Sequence, residues 1–173
     1  MKSLPLTLAG ILGALVLYVP PPSQAAEAST AAAQDRLIKC EVETAISMLQ
    51  TIHAKHQQGE MTFSEAKNLG ADLLRELRYG NDGYFWADTT EGVNVVLYGR
   101  RDVEGRNRLA ARDSEGTPYI QLFLKTAKAG GGYVEYRFPR KGEAAEQSKR
   151  SYVMLFKPFG WVVGTGYYRP PDR

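Results

Sequence analysis

The stretch Leu73-Leu74-Arg75-Glu76-Leu77-Arg78-Tyr79-Gly80-Asn81-Asp82-Gly83-Tyr84-Phe85-Trp86-Ala87 is where the chain changes its period. Ala66, Leu73, Leu74 and Leu77 recur at helical spacing up to about Arg78. Gly80-Asn81-Asp82-Gly83 then supplies a turn, because glycine accepts positive φ and Asn and Asp side chains bond their own backbone. Beyond the turn, Tyr84-Phe85-Trp86-Ala87 is aromatic enough to read as a strand, with side chains on alternate faces. Helices before this point and strands after it make the chain α+β.

Upstream, Ile38, Val42, Ala45, Leu49, Ile52 and His56 recur at spacings of 4, 3, 4, 3 and 4. That is one stripe along a long N-terminal helix over 35–57, ended by Gly59. Thr62-Phe63-Ser64-Glu65 has the pattern of a capping box opening a second helix. Downstream, Thr89-Thr90-Glu91-Gly92 reads as a hairpin turn and Val93–Tyr98 as the returning strand. Residues 99–116 are polar and glycine-punctuated, a long loop. Thr117-Pro118 predicts a helix start with Thr as N-cap, and Ile120, Phe123, Leu124 and Ala127 share one face. Gly130-Gly131-Gly132 stops that helix, and strands follow at Tyr133–Phe138, Lys149–Lys157 and Trp161–Tyr168. A five-stranded antiparallel sheet with a helix on one face buries both the helix stripe and the strand alternation, a PAS-like α+β arrangement.

Several motifs in this order are similar to those of one family. Arg78-Tyr79-Gly80-Asn81-Asp82-Gly83-Tyr84-Phe85-Trp86 resembles R-Y-G-x-x-G-Y-F-aromatic. Glu104-Gly105-Arg106-Asn107 and Arg112-Asp113-Ser114-Glu115-Gly116 resemble its G-K/R-N and D-x-x-G steps. Gly131-Gly132-Tyr133-Val134-Glu135-Tyr136-Arg137-Phe138, Lys149-Arg150-Ser151-Tyr152-Val153 and Gly160–Tyr168 resemble G-G-x-V-x-Y-x-W/F, K-x-S-Y-V and W-x-I/V-G-T-G-x-Y. Together they identify residues 34–168 as a single Cache domain of type 2, the extracytoplasmic sensor module of many chemoreceptors and histidine kinases. The resemblance implies a Cache fold whose pocket binds a small organic acid of the acetate, propionate or pyruvate class. It also implies a membrane sensor kinase, chemoreceptor or transporter as partner. Where many members carry His-Pro after the second strand, this chain has Tyr98-Gly99.

A buried carboxylate needs charge-assisted donors to repay its desolvation. By family position Lys149 is the cation, and Tyr84, Tyr98, Tyr136 and Tyr152 offer hydroxyls, with Trp86 and Phe138 as apolar walls. The bland alternatives are a strand-edge lysine and core tyrosines. Strand parity puts Tyr84 with Trp86 and Tyr136 with Phe138, but sets Lys149 against Tyr152. Unless a bulge intervenes, one of that last pair points away from the pocket. Phe85 and Trp161 read as core under the long helix. His53 and His56, one turn apart without a carboxylate or cysteine beside them, read as helix packing and not as a metal site. Arg100, Arg101, Arg106 and Arg108 read as a solvated basic loop.

Composition bounds the remaining possibilities. Residues 1–25 read as a signal peptide: Lys2, an apolar run from Leu4 to Val19, Pro20-Pro21-Pro22, then Ser23-Gln24-Ala25 before cleavage. An uncleaved N-terminal anchor is the alternative, and the sixteen-residue run is short for one. Residues 26–33 read as a small-residue linker and 169–173 as a tail, so the chain is expected to be a periplasmic, stand-alone module. Removing Lys2 from the 22 basic residues leaves 21 against 19 acidic ones, too even for nucleic-acid binding. Cys40 is the one cysteine, which excludes an internal disulfide and thiolate metal clusters. No catalytic constellation, metal site or cofactor motif emerges, so the chain reads as a non-enzyme. The second reading is an interaction module with a vestigial pocket, paired with a twin or an accessory subunit through helix 35–57.

Overall fold

A computed structural model describes residues 24–169. The expected signal peptide lies outside these residues except for its last two, and of the expected tail only Arg169 is described. The first helix, α1 (Gln24–Gln57), has 34 residues and so runs for about 50 Å. It takes in 26–33, the expected linker: alanine is the strongest helix former, and this segment is mostly alanine. Ile38, Val42, Ala45, Leu49 and Ile52 are all buried, so the predicted stripe is the face that α1 lays on the sheet. About a third of the way along it, Asp35 takes a two-pronged ion pair from Arg150, with contacts of 2.8 and 2.9 Å, and accepts the Tyr167 hydroxyl at 3.0 Å. This clamp ties the helix to two strands.

The second helix, α2 (Phe63–Glu76), opens on the expected capping box. Glu65 N donates to Thr62 Oγ1 at 3.2 Å and Thr62 N donates to Glu65 Oε2 at 2.8 Å. Its inward arc is Ala66, Gly70 and Leu74. Leu73, expected inward, is 39% exposed, because one residue off that arc is a rotation of about 100°. Gly70 permits the close approach of the two helices: a Cβ there would stand 2.8 Å from Leu49 Cδ2.

Around the predicted turn, β1 (Arg78–Tyr79) and β2 (Gly83–Tyr84) make a small hairpin. The main sheet has five strands, β3 (Trp86–Thr89), β4 (Asn94–Leu97), β5 (Gly132–Pro139), β6 (Glu146–Phe156) and β7 (Trp161–Tyr168). Their order is β4-β3-β7-β6-β5, antiparallel throughout. Residues 99–116 are less free than a loop reading suggests. Arg101–Val103 form a 3₁₀ turn, and Asn94 N donates to Arg106 O while Gly105 N donates to Asn94 O. The segment thereby covers the edge of β4 that would otherwise offer unpaired backbone groups.

The third helix, α3 (Tyr119–Lys128), starts one residue later than expected, with Pro118 and not Thr117 at its N-cap. The Thr117 amide is taken by buried Asp113, whose Oδ1 accepts it at 2.8 Å and whose Oδ2 accepts Arg137 N at 2.8 Å. Ile120, Phe123, Leu124 and Ala127 are buried as one face. The two sides of the sheet carry separate cores. Phe85, Ala87, Tyr152, Phe156, Trp161 and Val163 meet α1 and α2, whereas Trp86, Tyr136, Val153 and Val162 meet α3. This is the period-two alternation realised strand by strand, and Phe85 and Trp161 lie under the long helix as their sequence suggests.

Candidate functional site

On the α3 side of the sheet, Lys149 of β6 is 1% exposed. Its ammonium nitrogen donates to the Tyr84 hydroxyl at 2.6 Å, and among the described residues no carboxylate forms an ion pair with it. Aromatic rings surround it: Tyr84 at 4.3 Å, Tyr168 at 4.8 Å, Trp86 at 5.1 Å and Phe138 at 5.4 Å to the centroids. Rings stabilise a cation by their quadrupole, by about 2 kcal/mol when desolvated, which is short of the cost of burying a charge. Burial therefore pushes the Lys149 amine down to about 7, and the positive charge of Arg140 adds to the effect.

Beside Lys149 lies a cavity of about 10 Å³, room for roughly one water. Tyr84, Trp86, Tyr136, Phe138 and Lys149 line it together with Leu97, Arg108, Tyr119 and Phe123. Two of these lining residues hold buried donors with no acceptor in the structure, Trp86 Nε1 and Arg108 Nη1. The Tyr136 hydroxyl meets Ser151 Oγ at 3.2 Å, and burial pushes the Tyr136 and Tyr84 phenols up, so both stay protonated at ordinary pH. The lining of the chamber thus combines an amine, an indole and a guanidinium with apolar rings, and phenols stand at the wall. Such a donor set suits a small anion.

Local sequence explains how the chamber is built. Thr165 donates its hydroxyl to Tyr84 O at 2.6 Å and meets the Tyr79 hydroxyl at 2.7 Å, which fixes the hairpin that presents Tyr84. Gly164 makes room for the Trp86 indole, since a Cβ there would stand 2.5 Å from Trp86 Cζ2. On the adjoining rungs of β6 and β7, Lys149 pairs with Tyr168 on the chamber side and Arg150 with Tyr167 on the α1 side.

Five of the seven residues expected from sequence come together here: Tyr84, Trp86, Tyr136, Phe138 and Lys149. Tyr152 does not. It has the opposite parity on β6, packs edge-on to Tyr133 at 4.9 Å and belongs to the core under α1. No bulge intervenes, since the β5–β6 pairing is regular from Gly132↔Val153 to Pro139↔Glu146. Tyr98 stands outside the chamber, its ring 5.4 Å from that of Tyr84. It faces a larger open cleft of about 740 Å³, accepts Lys141 Nζ at 2.8 Å and carries the Arg78 guanidinium 3.6 Å above its ring. These two cations, Lys141 first, hold its phenol below the ordinary value.

Sequence reasoning missed Arg108, Tyr119, Phe123 as a wall and Leu97. Tyr119 extends the helical stripe back one turn from Phe123, a signal that was present. Arg108 had none: it is one of five arginines in the polar segment 99–116, and only the return of that segment along β4, with Arg108 N donating to Gly92 O, turns it inward. His53 and His56 pack among rings, His53 against Phe159 at 5.9 Å and His56 against Phe63 at 5.4 Å.

Known proteins share this fold. The family model for single Cache domain 2 matches residues 31–169. The chain is 36% identical over 124 residues to the sensor histidine kinase MctS of Rhizobium johnstonii, covering 72% of this chain and 26% of that protein. To the methyl-accepting chemotaxis protein McpP of Pseudomonas putida it is 29% identical over 128 residues, 73% of this chain and 24% of that protein. The chain thus spans about a quarter of the length of these curated relatives. A solved periplasmic sensor domain of a chemotaxis protein superposes with a TM-score of 0.79 at 31% identity, covering 81% of this chain and 98% of that one. A Cache chemosensory domain solved for carboxylic acid recognition superposes at 0.78 with 28% identity, covering 83% and 98%. With its long helix, five-stranded sheet and motif order, the chain belongs to the single Cache domain 2 family, homologous to the sensor domains of histidine kinases and chemoreceptors.

Proposed function

We propose that this domain is an extracytoplasmic sensor for a short organic carboxylate of the acetate, propionate or pyruvate class, and that it passes the bound state to a membrane kinase, chemoreceptor or transporter. One observation carries the reading: among the described residues Lys149 is buried without a carboxylate partner, and Trp86 and Arg108, each with an unmatched buried donor, line the same cavity. A carboxylate has four lone-pair positions, enough for all three groups, and Trp86, Phe123 and Phe138 offer apolar walls to its short tail. A two- or three-carbon acid is larger than a water, so the walls must part to admit it. Arg108, the one lining residue outside a helix or strand, is the side chain best placed to move. The carboxylic acid recognition named for one structural neighbour supports the ligand class, and the roles of MctS and McpP support the kind of partner. Within this reading the domain binds and does not catalyse, and export to the periplasm rests on the apolar N-terminal run.

Thermal shift with acetate, propionate and pyruvate at millimolar concentration tests the reading. A ligand at 100 times its Kd stabilises the folded state by about 2.7 kcal/mol, a shift of several degrees for a domain of this size. Lys149→Met keeps the volume, removes the cation and is expected to abolish the shift while leaving the unliganded protein folded. No shift with any of the three acids in the wild-type protein would falsify the carboxylate assignment.

A further inference from the structure

Resting on the carboxylate reading, we propose that the site takes up its ligand together with a proton, which comes to rest on Lys149 Nζ, so that occupancy depends on pH as well as on ligand concentration. The geometry points this way before any titration is considered. A cation enclosed by rings, with one phenol oxygen as its hydrogen-bond partner, has nothing negative to hold its charge. A carboxylate placed in the adjoining cavity supplies that charge. The balance is simple: a solvent proton adds to the neutral amine, and the ammonium so formed pairs with the carboxylate while no covalent bond changes.

The groups facing Lys149 agree from every side. Tyr84 comes from β2, Tyr136 from β5, Tyr168 from β7 and Tyr119 from α3, and burial pushes all four phenols up, so they stay neutral. Of the nearby charged groups, Arg140 past the end of β5 is a cation that opposes protonation of the amine, and Arg108 lines the cavity. Asp88, two residues beyond Trp86 on β3, is itself buried, and burial pushes its carboxyl up. Without ligand the amine titrates near 7. Paired with a carboxylate, it returns toward the ordinary lysine range. Linkage then fixes the pattern: almost no proton uptake at pH 5.5, roughly half a proton per ligand at pH 7, and nearly one at pH 8.5.

Isothermal titration of propionate into the wild-type domain, in buffers of different ionisation enthalpy, reads this number directly. The expected slope of heat against buffer enthalpy is close to zero at pH 5.5 and close to one at pH 8.5. Over the same series Kd is expected to weaken about 100-fold between pH 6 and pH 9. A slope near zero at pH 8.5 with a flat Kd overturns the proposal while leaving carboxylate binding intact. Tyr98→Phe provides a control, because the Tyr98 ring lies beside Tyr84 and its phenol is held below the ordinary value by Lys141 and Arg78. Uptake that persists in this variant supports Lys149 as the acceptor, and uptake that disappears assigns the proton to Tyr98 and overturns the proposal. Absence of heat with acetate, propionate and pyruvate at every pH defeats the underlying carboxylate reading, and the proposal with it.

Discussion

Lys149 shows how a residue can be legible in type and illegible in state. Its place in K-x-S-Y-V marked it as the cation, but nothing in the sequence says that it is 1% exposed and unpaired. Those facts come from Tyr84, Phe138 and Tyr168, brought from three other strands. The same burial sets a stability signature. Unfolded lysine titrates near 10.5 and this one near 7, so between those values the unfolded chain holds the extra proton. Stability of the ligand-free domain therefore climbs as pH rises through this window, and below it the cost of the buried charge is present in full. The melting temperature is expected to rise by several degrees from pH 6.5 to pH 9.5, and this rise is expected to vanish in Lys149→Met. A wild-type melting temperature that is flat or falling across that range would show that the amine is not desolvated. Arg108 lies at the other extreme: its side chain reaches the cavity because of tertiary pairing alone, which no local pattern announces.

At the scale of elements, period and parity were the informative signals. The stripe of α1, the capping box of α2 and the face of α3 all follow from spacing. The strand parity that set Lys149 against Tyr152 is resolved by a regular β6, with Tyr152 on the helix side. What spacing does not reveal is the close approach that a glycine serves. In the closing motif, Gly164 admits the Trp86 indole and Gly166 lies against Ser151. Gly164→Ala is expected to cost about 1–3 kcal/mol by overpacking and to displace Trp86 from the chamber wall. Urea unfolding reads the first effect; an altered tryptophan fluorescence and a weaker propionate response read the second. The α1 clamp offers a separate test, since its Asp35–Arg150 pair is partly buried and two-pronged. Arg150→Gln is expected to destabilise the domain by about 1 kcal/mol, with faster hydrogen exchange at 26–38 than at 42–52. Uniform exchange along the whole helix would mean that the clamp does not govern its first turns.

For the molecule as a whole, the apolar stripe of α1 faces the sheet, and its outward side carries Arg36, Lys39, Glu43, Ser47 and Gln50, with Leu37 the exposed large apolar residue among them. A coiled-coil seam needs large apolar residues repeated over several turns, and among the described residues of that side Leu37 stands alone. Sedimentation of the domain at micromolar concentration is therefore expected to give a monomer, and a concentration-dependent dimer would call for a different surface. The rungs that join the chamber to the clamp have a further consequence. Lys149 and Arg150 are consecutive on β6, as are Tyr168 and Tyr167 on β7, with each pair split between the two faces. The sheet is here a partition one residue thick, with the lysine chamber on one side and the fastening of a 34-residue helix, a long lever, on the other. Under the proposed function, strain applied to the wall by a bound molecule would have a single peptide unit to cross to the lever's footing, with no chain of side chains to carry it through the interior.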